Sequence, residues 1–223
     1  MTGGGAGSGV GARRKGQHMA TKYDVALARP LPIDTDRVGI PTVYKGRTYR
    51  SRLEARWAAM FDLLRWRAEY EEIDLAGYIP DFIVHFKRGK LLVEVKPALE
   101  FADLHEHAKR ICQSGWRGDF MVVGAQLFDA EGDRNRRSFG LLAMWDRDFE
   151  DGWQPADHAC AIHCRMCRKT TIKHASGAWF CVACGACDPR VHFEDEDAGK
   201  LDAMWAKAGD ITQWQPRKGR RGA

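Results

Sequence analysis

Apolar residues along the chain change period several times, and each change marks an element. From Ser51 to Trp66, Leu53, Trp57, Met60 and Leu64 recur at spacings of four, three and four, which predicts a helix with one buried face. Ser51 followed three residues later by Glu54 fits a capping box at its start. The period then drops to two. Trp66–Glu71 sets Trp66, Ala68 and Tyr70 against Arg67, Glu69 and Glu71; Tyr78–Phe86 sets Phe82, Val84 and Phe86 against Asp81, Ile83 and His85. Leu91–Lys96 sets Leu91, Val93 and Val95 against Leu92, Glu94 and Lys96. The polar run Lys87-Arg88-Gly89-Lys90 makes the last two strands a predicted hairpin.

Pro97 ends that strand. A second helix is predicted over Glu100–Ser114, with Leu104, Ala108, Ile111 and Cys112 on its inner stripe and Gly115 as terminator. Phe120–Gly124 reads as a short strand buried on both faces, and Phe139–Trp145 as another. Ahead of the first helix, Thr42–Tyr49 suits a brief hairpin turning at Lys45-Gly46. Leu201, Met204, Trp205 and Ala208 mark a short helix over Asp197–Ala208. The order helix, three strands, helix, strand predicts an α/β sheet flanked by helices, not a repeated βαβ array.

The ends change the picture. Residues 1–20 form a Gly-rich leader with too little apolar surface to repay ordering, and residues 212–223 are a basic tail. Net charge is +5, but Arg13, Arg14 and Lys15 supply +3 and Arg217, Lys218, Arg220 and Arg221 supply +4, so the remainder carries −2. Basic ends suit a polyanion, and they equally suit a role as solubilising termini. No apolar run approaches the ~18–20 residues of a membrane span, and no h-region follows the first basic cluster. The expectation is a protein outside the membrane in the cytoplasm of a prokaryotic or phage-infected host cell.

Candidate chemistry gathers at the end of the predicted hairpin. Glu94 and Lys96 share a strand face, about 6.5–7 Å apart at Cα. Asp81, after Pro80, belongs to the neighbouring strand and approaches Glu94 in the register the hairpin predicts. Two carboxylates and the Val95 carbonyl make an oxygen-rich site suited to Mg²⁺ or Mn²⁺. Lys96 beside them would orient a water or neutralise a phosphate. Each residue also has a plainer account: Glu54 as a cap member, Asp81 as a strand-start residue, and Glu94 and Lys96 as solvent-facing positions of an edge strand. His85 shares the Asp81 face and stays outside the core set.

Pro80-Asp81, twelve residues, then Glu94-Val95-Lys96 resembles the PD-(D/E)xK nuclease superfamily, over about residues 48–125. SRLEARWAAMFDLLRWRAEYEE, GYIPDFIV and LLVEVK look like its small phage-encoded or transposase-like members. The resemblance implies a restriction-endonuclease-like core. It also implies Glu54 as a third acid at the metal site and a polar helix residue near His105 or Lys109. The activity it implies is divalent-metal-dependent DNA endonuclease chemistry, in phage or mobile-element DNA processing, with Asp81, Glu94 and Val95 holding the ion.

Six of seven cysteines fall within residues 160–187. Cys164-Arg-Met-Cys167 and Cys181-Val-Ala-Cys184, thirteen residues apart, look like a zinc ribbon with four thiolates on one Zn²⁺. Cys160, Cys187, His163 and His174 leave room for an exchanged or second ligand set, and Cys112 reads as a buried helix residue. Lys169, Lys173 and His174 are expected on the ribbon loop, with Arg165 and Arg168 at the first knuckle, as phosphate contacts. The expected division is a nuclease-like domain over 21–147, a zinc ribbon over 158–192 beyond a polar seam at 146–159, and a helical segment over 193–211. DNA is the expected partner, with a second copy or a phage or mobile-element protein beside it. The competing readings are a non-catalytic DNA-binding protein that keeps the fold and a zinc-braced structural or protein-interaction module.

Overall fold

The structure is a computed structural model, described here over residues 39–87, 89–149, 152–175, 181, 183–186 and 193–213. The leader, the basic residues of the tail, Arg88, Trp179, Phe180, Val182 and Cys187 lie outside the described residues.

A small hairpin comes first, β1 (Thr42–Tyr44) and β2 (Arg47–Tyr49), turning at Lys45-Gly46 with both residues at positive φ. That is the turn geometry whose twist matches the strands it joins. Helix α1 (Arg52–Leu64) follows, with Ser51 at its N-cap accepting from the Glu54 N–H. Its inner face is fully buried through Trp57, Met60 and Phe61.

The chain then builds one mixed eight-stranded sheet. Strands β3 (Arg67–Tyr70), β4 (Phe82–Phe86) and β5 (Gly89–Val95) pair antiparallel in sequence order. A turn of 3-10 helix and α2 (Leu104–Gln113) then cross over, and β6 (Phe120–Ala130) lies parallel to β5. The antiparallel run continues through β7 (Asp133–Ala143) and β8 (Asp157–Cys164). Strand β9 (Lys169–His174) lines the far edge of β8, and β10 (Phe193–Asp195) pairs with its last residues. A last helix, α3 (Ala198–Ile211), is capped by Asp197.

Alternation along the strands divides the core between two faces. Phe82, Val84, Leu91, Val93, Val95, Met121, Val123 and Phe139 join Trp57 and Phe61 of α1 and Leu201, Trp205 and Ala208 of α3. On the other face Ile83, Leu92, Phe120, Val122 and Leu141 meet Leu104, Ala108 and Ile111 of α2. The central strands are therefore apolar on both sides, as covered sheets require. Trp57 fixes α1 to the sheet by donating its indole N–H to the Gly124 carbonyl at 2.8 Å.

Several expectations need correction. Cys112 is exposed, one residue and so about 100° beyond Ile111 on the helix, outside the buried stripe. Strand β6 runs six residues past Gly124 to Ala130 and turns at Glu131-Gly132 into a β7 that begins six residues before Phe139. The polar seam is not a break in the sheet. Trp145 and Trp153 bridge across it and pack edge to face at 4.7 Å, and Asp157 already pairs with Leu142. Nor do Lys169, Lys173 and His174 sit on a loop: they belong to β9, where Lys173 and His174 are buried. Among the described residues, no helix is long and apolar enough to cross a membrane.

Candidate metal and acid–base site

The β4–β5 register places Phe82 opposite Val93, so the next position outward sets Asp81 beside Glu94. Glu54 arrives from the first turn of α1, and all three carboxylates are buried. Lys96 stands two residues beyond Glu94, its Nζ 2.6 Å from Glu94 Oε1. The structure thus gathers Glu54, Asp81, Glu94 and Lys96 around one end of the sheet. Val95 is present through its N–H, which donates to Asp81 Oδ2 at 2.7 Å.

Arg50, Tyr70 and Tyr78, none of them proposed for the site from sequence, complete the arrangement together with the cap residue Ser51. Arg50 donates from Nη2 to Asp81 Oδ1 at 2.5 Å and places Nε 2.9 Å from Glu71 Oε1. The Tyr70 hydroxyl donates to Glu54 Oε2 at 2.5 Å, and Ser51 Oγ–H donates to Glu54 Oε1 at 2.8 Å. Tyr78 donates to Glu94 Oε2 at 2.8 Å. The period-two pattern had turned Tyr70 inward correctly, but a phenol reaches beyond its own core position. Arg50 lies just before the helical period begins, and Tyr78, expected to open a strand running to Phe86, lies instead in the irregular stretch ahead of β4, which begins at Phe82.

Charge at this site is out of balance. Four carboxylates (Glu54, Glu71, Asp81, Glu94) meet two cations, Arg50 and Lys96. Burial, with the charges of Glu94 and Glu54 added, pushes Asp81 up to about 7, against the pull of Lys96 and the Val95 N–H. Burial and Glu94 raise Tyr78, and burial and Glu54 raise Tyr70, so both phenols remain donors at neutral pH. Arg50 loses solvation by burial, but Tyr70, Asp81 and Glu54 outweigh that and hold it charged.

On α2, His107 lies close enough to this charge to feel Glu94 and Lys96. Burial lowers its pKa, Lys96 lowers it further, and Glu94 acts the other way. His105 stacks edge to face on Phe101, and Lys109 pairs with Glu106. His85 turns away toward Glu69 and Glu72.

The donor set fits a hard divalent cation in kind, being all oxygen and in anionic excess. Its present arrangement is closed: each carboxylate oxygen of Glu54, Asp81 and Glu94 already holds a partner within the chain. The ligand oxygens of the three do not all lie within 4.8 Å of one another.

The cysteine cluster fits its ion more directly. Cys164, Cys167, Cys181 and Cys184 offer Sγ atoms within 4.8 Å of one another, with Cys164–Cys184 at 3.6 Å and Cys167–Cys181 at 3.7 Å. Four sulfurs about 2.3 Å from a tetrahedral zinc stand about 3.8 Å apart. The Gly185 N–H closes the second knuckle onto the Cys181 carbonyl. Burial and Cys181 push the Cys167 thiol up to about 12, against a backbone N–H from Lys169, so a cation must displace its proton. Arg165, expected at a phosphate, pairs with Glu194. Cys160 is buried away from the cluster on the β7-facing part of β8, and His163 faces Glu196.

No family model matches the sequence, and no curated protein or solved structure matches it.

Proposed function

We propose that the chain is a divalent-metal-dependent DNA endonuclease of the PD-(D/E)xK kind with a zinc-braced hairpin. The observation that carries this reading is the convergence of Glu54, Asp81, Glu94 and Lys96 at one end of a sheet built in the order helix, three strands, helix, strand.

Asp81, Glu94 and the Val95 carbonyl would hold Mg²⁺ or Mn²⁺, with Glu54 adding negative charge behind them. When bound, that ion supplies positive charge beside the scissile phosphate and makes water a stronger acid. Lys96 then has two tasks open to one ammonium group: it donates to a non-bridging phosphate oxygen, or holds the attacking water in line. Tyr78 and Tyr70 keep the second oxygens of Glu94 and Glu54 occupied, which fixes the orientation of the first. Arg50, more than half exposed, is the residue beside these acids with most freedom to pass from Asp81 to a phosphate.

A second reading rests on the saturated carboxylates. If Arg50 and Lys96 serve as permanent counter-ions, the same site is a structural ion network in a non-catalytic DNA-binding or zinc-braced interaction protein. Single-stranded, double-stranded and branched DNA incubated with Mg²⁺, Mn²⁺ or a chelator separate the two. The nuclease reading expects cleavage that the chelator abolishes. Salt-sensitive binding with uncut DNA under every condition would favour the second.

A further inference from the structure

Glu69, Glu72 and His85 form a separate group about four strand residues, roughly 13 Å, from Asp81 along β4. His85 Nε2 lies 3.3 Å from Glu69 Oε2 and 3.2 Å from Glu72 Oε2. Hydrogen bonds from nitrogen to oxygen run over about 2.7–3.2 Å. Ligand atoms about 2.0–2.1 Å from a tetrahedral zinc instead stand about 3.4 Å apart. The separations found here stand at the long end of that hydrogen-bond range and close to the ligand edge.

The outer oxygens are held as well. Glu69 Oε1 accepts from Arg67 at 2.6 Å, and Glu72 Oε1 lies 3.5 Å from Lys90 Nζ. Each carboxylate is therefore anchored by one oxygen and presents the other to the imidazole. The backbone supports this aim: Glu69 and His85 share one face of the β3–β4 pair, with Arg67 opposite His85. Lys90 is the cross-strand partner of His85 on the other side. Glu71, at positive φ, turns the chain so that Glu72 returns over the strand. A single Nε2–H cannot serve two carboxylate oxygens at full strength. A cation can.

We infer that Glu69, Glu72 and His85 form a second divalent-metal site, suited to Zn²⁺ or a similar borderline cation, with water completing the coordination. All three side chains are partly exposed, so the ion has access from solvent. An ion there ties residues 71–81, the segment that carries Tyr78 and ends at Asp81, to β4. Arg67 and Lys90 act as positioning residues for the two carboxylates.

The test is a calorimetric titration of Zn²⁺ into full-length protein whose cysteine site is already filled, in millimolar Mg²⁺ to occupy oxygen-only sites. Wild type is expected to take one further equivalent, and Glu94→Gln to keep it. His85→Gln and, independently, Glu72→Gln on the loop are expected to lose it, with far-UV circular dichroism confirming the fold. Arg67→Gln is expected to weaken it about 10- to 100-fold. The inference fails if wild type takes nothing beyond the cysteine equivalent. It fails equally if both ligand variants bind as wild type does, or if Glu94→Gln alone abolishes the extra equivalent. The outcome is independent of whether the chain cuts DNA.

Discussion

Asp81 is held by Arg50 and the Val95 N–H, but burial, with repulsion from Glu94 and Glu54 added, prevails and pushes its pKa up to about 7. Since the folded value lies above the unfolded ~3.9, the folded chain binds more protons between those limits. This contribution is therefore most favourable below pH 4 and is lost as pH rises toward 7. Asp81→Asn keeps an acceptor for Val95 and removes the buried charge. Without metal at pH 8 it is expected to be more stable than wild type, by on the order of 1–4 kcal/mol, the gain shrinking toward pH 5. Urea melts across that range check it; a variant less stable at pH 8 than at pH 5, relative to wild type, contradicts it. Strand alternation was enough to put Glu94 and Lys96 on one side and to bring Asp81 near them. It was silent on Arg50, and it set Tyr78 in a strand that begins only at Phe82; both positions depend on tertiary contacts.

At the scale of elements, α1, α2 and the β4–β5 hairpin were legible because long apolar periods and a polar glycine turn specify them. The β6–β7 hairpin was legible only where both faces are buried. Beyond Gly124 its residues alternate between buried and exposed positions, and the charged run Asp133–Arg137 carries no apolar signal at all. Those charges are used in ion pairs, Arg137 with Asp202 of α3 and Arg136 with Asp195 of β10. The hairpin also depends on a close approach at Gly140, where an added Cβ would stand 2.1 Å from the Val122 carbonyl oxygen. That atom is backbone in a buried strand and has little room to move. Gly140→Ala is expected to cost at least about 1–3 kcal/mol, read as a lower denaturation midpoint. A midpoint equal to wild type would show that β6 and β7 separate easily there.

Across the whole molecule, the cysteine pairs do not mark off a unit apart. Cys164 ends a strand of the main sheet, β9 runs back along it, and Ile172 of β9 enters the same core as α1. Trp66 donates its indole N–H to the Thr170 carbonyl at 3.0 Å. CxxC spacing picked out the four cysteines that cluster but could not show this continuity, which long-range pairing creates. Stripping a zinc-loaded sample with a chelator is therefore expected to lower the single unfolding midpoint of the whole protein; a separate early transition that leaves the main one unmoved would contradict this. The acid cluster lies among β4 and β5, several strands away from the cysteines, and the proposed chemistry rests on its Asp81, Glu94 and Lys96. Single-turnover cleavage of labelled DNA in Mn²⁺ by wild type, Asp81→Asn, Glu94→Gln and Lys96→Ala tests it most directly. Wild type is expected to cleave in a metal-dependent way, and each variant to fall by about 10²-fold or more with DNA binding retained. Equal rates in all four proteins, or no cleavage by wild type on any DNA form, would contradict it.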